Sequence, residues 1–177
     1  MAEAPEVPEA NDPFEKRAAV TIAILAVVLA VVGNKGDNAK TDSIIKTNKA
    51  SNQWGYYQAK GIKSSIATAH EELLASLGPV NSDARHAEIE KKIAGLKADA
   101  ERYKSEQEPI KKAAEEAEKD AEVGSKINDR CDLGSLALQI AIVIASVSIL
   151  ARSQAFWIAS ILLGLVGIGI GLSAFRL

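Results

Sequence analysis

The chain has 177 residues, with 21 Lys and Arg against 23 Asp and Glu, one cysteine, and aromatic side chains at only 5% of the total. A single cysteine excludes a disulfide within the chain, and the low aromatic content is typical of long helices rather than of a compact soluble core. Residues 34–131 contain 17 basic and 17 acidic side chains. Because this region has no net positive charge, we do not expect it to bind nucleic acid.

Three uninterrupted apolar runs, at residues 18–33, 133–151 and 155–174, predict membrane-spanning helices. A helix rises about 1.5 Å per residue and a bilayer core is about 30 Å thick, so the last two runs are long enough to span and the first is marginal. Phe14, Lys16 and Arg17 mark the membrane interface, which extends the first span to 14–33. The third span is expected at 155–175.

Residues 1–13, rich in proline and acidic side chains, predict a flexible tail. A cleaved signal peptide is the alternative for the first run, but the acidic N-terminal segment argues against it.

The residues between the first two runs, 41–121, predict an antiparallel coiled-coil hairpin of two helical arms. In the first arm one helix face carries Ile62, Ile66, Ala69, Leu73 and Leu77. In the second arm apolar or small residues recur in alternating steps of four and three, as in a coiled-coil seam: Ile89, Ile93, Leu96, Ala100, Tyr103, Gln107, Ile110, Ala114, Ala117 and Ala121. We therefore expect an all-α protein with this hairpin inserted between its first and second spans.

A turn at 78–83, containing Gly78 and Pro79, separates the two arms, and Asp83 is a candidate N-cap for the second. Folding the arms back on each other pairs Leu73 with Ile89 and Ile66 with Leu96. Glycines and asparagines predict hinges at 34–40 and 122–132, and Pro109 predicts a bend in the second arm.

Small residues at intervals of three and four predict the contact faces of the spans, since helices in lipid associate by close backbone approach. The candidate packing residues are Ala23, Ala26 and Ala30 in the first span, Ala137, Ala141 and Ala145 in the second, and Gly164, Gly167 and Gly171 in the third. The three faces can pack against one another within one protomer, or one of them can remain available for contact with a neighbouring protein. Gln139 is the strongly polar side chain of the spans and is expected to hydrogen-bond between helices.

Candidate sites for chemistry are few. His70 and His86 fall near the predicted hairpin tip beside glutamates, but their spacing matches no metal motif, so no metal or cofactor is expected. Trp54, Tyr56 and Tyr57, with Tyr103, form a candidate docking patch for another protomer or protein, the alternative being close packing of the two arms. No nucleophile motif or catalytic carboxylate pair occurs, so we do not expect an enzyme.

The orientation signals conflict. Five cations near the spans, Lys35, Lys40, Lys126, Arg130 and Arg176, favour the cytoplasmic side for the hairpin, whereas Lys16 and Arg17 before the first span favour the reverse.

The segments NDPFEKRAAVTIAILAVVLA (11–30) and TNKASNQWGYYQAKGIK (47–63), with the two closing spans, resemble a bacterial membrane family catalogued as domain of unknown function 4337. The resemblance implies a multi-pass protein of the bacterial inner membrane. It supplies no activity, substrate or catalytic residue.

Two functions remain open. In the first, the chain is a structural scaffold in the membrane that forms a homo-oligomer through its small-residue spans and its coiled coil. In the second, it is an accessory subunit that regulates a transporter, channel or membrane enzyme, with that protein partner bound at the hairpin. A pore formed by an oligomer is less favoured, because the three apolar runs contain no charged side chain.

Overall fold

The computed structural model describes residues 13–76 and 83–176, all of which lie in helices or in the short connection between the last two. Helix α1 is Pro13–Ser76, α2 is Asp83–Leu150 and α3 is Gln154–Ser173, followed by a 3₁₀ turn at Ala174–Arg176. No strand occurs in the described ranges, so the all-α class is confirmed there. Residues 1–12 of the predicted tail, Leu77 and the turn at Gly78 and Pro79 lie outside them. Pro13, the last residue of the predicted tail, is the first residue of α1.

Each of the three helices contains a stretch long and apolar enough to cross a membrane. The stretch in α1 lies near its N-terminus, and α3 is a span over nearly its whole length. The chain therefore has the composition of a multi-pass membrane protein, as the apolar runs predict.

A tight connection joins α2 to α3. The N–H of Ser153 donates to the carbonyl of Ser148 at 3.1 Å, and Arg152 adopts a left-handed backbone conformation with φ 50°. This geometry closes the end of a helix and is usually taken by glycine. The Arg152 guanidinium lies 3.8 Å from the carboxylate of Glu15 in α1, so the ion pair links this turn to the first span.

Both segments predicted as hinges are helical, so the expected interruptions at 34–40 and 122–132 are wrong. The glycines there serve close packing instead. A Cβ on Gly36 would lie 2.8 Å from the Cβ of Cys131, and one on Gly124 would lie 3.1 Å from the carbonyl oxygen of Ala39. Helix α2 also continues through Pro109; the bend expected there stays a prediction.

The chain divides into two compact units. The first, here the span unit, comprises residues up to Ser43 and from Glu122 onward. The second, here the arm unit, comprises Ile44–Ala121.

Candidate interaction surfaces

In the span unit, large side chains of α1 pack into glycine notches on α3. A Cβ on Gly164 would lie 2.7 Å from Leu25, and a Cβ on Gly171 would lie 2.9 Å from Val32. These pairs, with Trp157 bonded to Thr21, indicate that α1 and α3 run in the same direction. Leu25 and Val32 belong to a core that also contains Cys131 and Leu138.

Helices α2 and α3 approach closely enough for their backbones to touch. A Cβ on Gly167 would lie 3.0 Å from the carbonyl oxygen of Gly134 and 3.1 Å from the backbone nitrogen of Leu138. Gly164, Gly167 and Gly171 are all buried. Ala141 and Ala145 of α2 are buried as well, and Ala137 is half-buried. The candidate packing residues of the second and third spans therefore lie inside one protomer.

The candidate packing residues of the first span lie on the opposite side of α1. Ala23, Ala26 and Ala30 are exposed, and so is Ala19 one step earlier. We call these four residues the alanine seam. The side of α1 that packs against the protomer is instead formed by Ala18, Leu25 and Val32. Packing of the three helices thus buries the small-residue faces of the second and third spans, whereas the alanine seam stays exposed.

Gln139 also faces away from the protomer. Its side chain is exposed, and it makes no hydrogen bond within the described part of the chain. In hydrocarbon, a hydrogen bond to another polar group stabilises such an amide.

In the arm unit, contacts pair rising residue numbers in α1 with falling numbers in α2. Ser64 donates to the carbonyl of Ala100 at 3.1 Å, and Gln107 donates to the carbonyl of Tyr57 at the same distance. Two ion pairs continue the series, Lys60 with Glu106 and Lys46 with Asp120. The hydrogen bond from Lys60 lowers the pKa of Glu106 below its usual value, because it favours the carboxylate form.

The seam predicted for the second arm matches the burial of α2. All ten of its residues, from Ile89 to Ala121, are buried or half-buried. The face of α1 that packs in the arm unit is not the predicted one. It carries small and polar residues, including Ala50, Gly61, Ser64 and Ala67, of which Ala50 and Ala67 are buried.

The isoleucines of the first arm lie outside. Ile62 is 60% exposed, Ile66 50% and Leu73 60%, so the predicted pairing of Leu73 with Ile89 and of Ile66 with Leu96 is wrong. The physical reason is the close approach of the helices. A Cβ on Gly61 would lie 2.8 Å from the Gln107 amide, so a larger side chain there would have to displace Gln107.

These exposed residues belong to a continuous row along α1, here called the outer seam. Its nine positions follow steps of three and four, and every one is exposed and uncharged: Ile44, Asn48, Ser51, Gly55, Ala59, Ile62, Ile66, Ala69 and Leu73. A groove of about 590 Å³ runs beside Ile62, Ile66 and Ala69 and ends against Gln107 of α2. By contrast, the exposed residues of α2 in this unit include many charged ones, among them Glu101, Lys104, Glu108 and Lys112.

The aromatic residues of the candidate docking patch are spread over different surroundings. Trp54 and Tyr57 are half-buried and meet edge to face with centroids 5.6 Å apart, and the Trp54 indole donates to Glu118 at 2.8 Å. Tyr56 points outward and is 63% exposed. The ring of Tyr103 is flanked by three cations, Lys60, Lys63 and Arg102, at 4.9 to 5.8 Å.

The two histidines are not brought together into a ligand set. His86 contacts Glu90 one turn along its own helix at 3.5 Å. Within residues 13–76 and 83–176, no three His, Cys, Asp or Glu side chains cluster closely enough to hold a metal ion.

Comparison with known proteins gives one match. A family model described as Domain of unknown function (DUF4337) matches residues 14–177. Neither a curated protein nor a solved structure matches the chain.

Proposed function

The chain belongs to the DUF4337 family, and we propose that it is a non-enzymatic membrane scaffold in which two copies associate through the outer side of α1. The observation that carries the proposal is the outer seam. Nine successive heptad-like positions are exposed and uncharged in a chain of which 25% is charged. A row of this kind on a long helix is typical of a coiled-coil contact that one protomer leaves unfilled.

A second copy is the occupant favoured by charge. The outer seam contains no charged side chain that could form an ion pair, whereas the exposed side of α2 carries many charged residues. Within this chain the matching surface for the outer seam is therefore the same seam on another copy. Such an interface is isologous, with α1 packed against α1 about a two-fold axis.

The available area is sufficient for a stable pair. The outer seam spans 30 residues, from Ile44 to Leu73. It is about 45 Å long, and a contact strip about 10 Å wide buries about 900 Å² over both copies. This area is close to the roughly 1,000 Å² expected of a biological interface.

Confinement to a bilayer further favours association. Because the first span is part of α1, two copies in one membrane are held in a common plane, which raises their effective concentration. The alanine seam supports close approach in the span unit, and the unpaired amide of Gln139 supports a polypeptide neighbour there.

We further infer that the arm unit is an antiparallel coiled-coil hairpin. The pairs Ser64 with Ala100 and Tyr57 with Gln107 support it, as does the burial of the predicted α2 seam. The family resemblance supports a bacterial inner membrane, and the cations beside Gly33 and Leu133 support a cytoplasmic hairpin.

The proposal is tested by the mass of the purified full-length protein in lipid nanodiscs. We expect two chains per particle. Ile62→Glu with Ile66→Glu places four carboxylates in the paired seam and should give one chain per particle, because buried like charges are strongly unfavourable. The matched control, Ala87→Glu with Ala98→Glu, adds the same charge at exposed positions of α2 and should leave the pair intact.

A parent protein with one chain per particle would contradict the proposal. Recovery of an unrelated protein in stoichiometric amount on a monomeric chain would instead establish the accessory-subunit alternative, with the outer seam as its docking surface.

A further inference from the structure

A second surface, unrelated to the outer seam, lies where the first and third spans begin. A pocket of about 550 Å³ opens there between α1 and α3 and is lined by Lys16, Arg17, Val20, Thr21 and Trp157. Lys16 and Arg17 directly precede the apolar run of the first span, and Trp157 is the third residue of the third run. The pocket therefore lies at the boundary between charged and apolar sequence, the level at which lipid headgroups meet acyl chains.

Among residues 13–76 and 83–176, the two cations of this pocket have no acidic partner. The nearby Arg152 is neutralised by Glu15 at 3.8 Å, but neither Lys16 nor Arg17 forms an ion pair with any residue that the structure describes. Both side chains are exposed and both line the same pocket. Two adjacent cations without a partner attract an anion, and a guanidinium is suited to binding phosphate through two hydrogen bonds.

The other walls of the pocket are fixed and partly apolar. The Trp157 indole donates to the Thr21 hydroxyl at 3.1 Å, and that hydroxyl donates to the carbonyl of Arg17 at 2.9 Å. Phe14 meets Trp157 edge to face at 6.2 Å, which holds the indole from the other side. Val20 is 59% exposed beside it. A free phosphate would use the cations only, whereas a glycerophospholipid would also contact the indole and valine.

We propose that this pocket binds the headgroup of an anionic phospholipid, with Lys16 and Arg17 at the phosphate and Val20 and Trp157 against the glycerol and upper acyl region. A zwitterionic lipid is a poorer ligand, because its own cation offsets its phosphate charge. Two cations near an anionic headgroup favour it over a zwitterionic one by about thirtyfold.

The test uses Trp157 as the reporter in the full-length chain, with Trp54→Phe as the background so that one indole remains. The protein is placed in phosphatidylcholine bilayers that contain an equal mole fraction of either brominated phosphatidylglycerol or brominated phosphatidylcholine. Bromine quenches indole fluorescence on contact. We expect stronger quenching by phosphatidylglycerol, with an apparent affinity about thirtyfold higher.

Lys16→Gln with Arg17→Gln should abolish this preference. The matched control, Lys35→Gln with Lys40→Gln, removes the same charge from α1 outside the pocket and should preserve it. Equal quenching by both lipids in the parent, or a preference that survives the Lys16 and Arg17 changes, would overturn the proposal. Loss of the preference in sodium phosphate but not in sodium chloride of equal ionic strength would assign the pocket to free phosphate instead.

Discussion

At the scale of single residues, the glycines of this chain separate into those that permit close contact and those that do not. Gly167 faces the backbone of α2, whereas a Cβ on Gly169 would meet nothing within 4 Å. Spacing alone identifies Gly164, Gly167 and Gly171 as a set, because a repeat of three and four residues defines one helix face. It does not reveal which helix that face meets, since this depends on the relative rotation of all three spans.

We expect Gly167→Ala to destabilise the span unit by about 1–3 kcal/mol, because the contacted atoms are backbone and cannot move aside. Gly169→Ala makes the same change two residues further along α3 and should cause no loss. The measurement is the free energy of unfolding in mixed micelles. Equal stability of the two variants would show that α2 and α3 do not approach as closely as described.

The glycines at 36 and 124 show why local sequence misleads. Gly has a poor helix propensity, so a cluster of Gly and Asn predicts an interruption. In the span unit these glycines remain helical, because the closeness of Cys131 and of Ala39 leaves no space for a side chain. Tertiary packing here outweighs a preference of about 1 kcal/mol per residue.

At the scale of helices, α2 in the arm unit has one contact face, whereas α1 has a packed face and the exposed outer seam. The seam of α2 is predictable because its most apolar face, from Ile89 to Ala121, is also its packed face. In α1 the same criterion selects Ile62, Ile66 and Leu73, which are exposed. The packed face of α1 is instead defined by small size, as at Gly61 and Ala67, and hydrophobicity does not detect it.

The alanine seam gives a prediction for the first span. Ala23→Leu with Ala26→Leu should weaken association of the copies, because bulky side chains hold the two α1 backbones apart. Val20→Leu with Val27→Leu alters exposed residues of the same span outside the seam and serves as the control. Energy transfer between labelled copies in vesicles measures the effect. Unchanged transfer in the alanine variant would exclude the alanine seam from the interface.

Gly167 and Gly171 also lie in a small-residue face, but both contact α1 or α2 of the same protomer. Changing them to leucine would disturb the fold of the chain before it reported on association.

At the scale of the whole molecule, α1 packs within the protomer through one face in each unit, and we propose that its outer seam contacts a second copy. The three apolar runs, the all-α class and the family follow from the sequence, because length and composition determine them. The use of one face of α1 for folding and of another for a second copy does not follow from the sequence. It depends on which helix faces already contact another helix of the protomer.

Cysteine crosslinking in native membranes tests this division most directly. In a Cys131→Ala background, Ile66→Cys lies in the outer seam, whereas Ser64→Cys lies on the side of α1 that contacts Ala100. We expect a short thiol crosslinker to convert the Ile66→Cys chain to a covalent dimer and to leave the Ser64→Cys chain without a covalent link between copies. Absence of a dimer at Ile66→Cys, or equal dimer formation at both positions, would contradict this proposal.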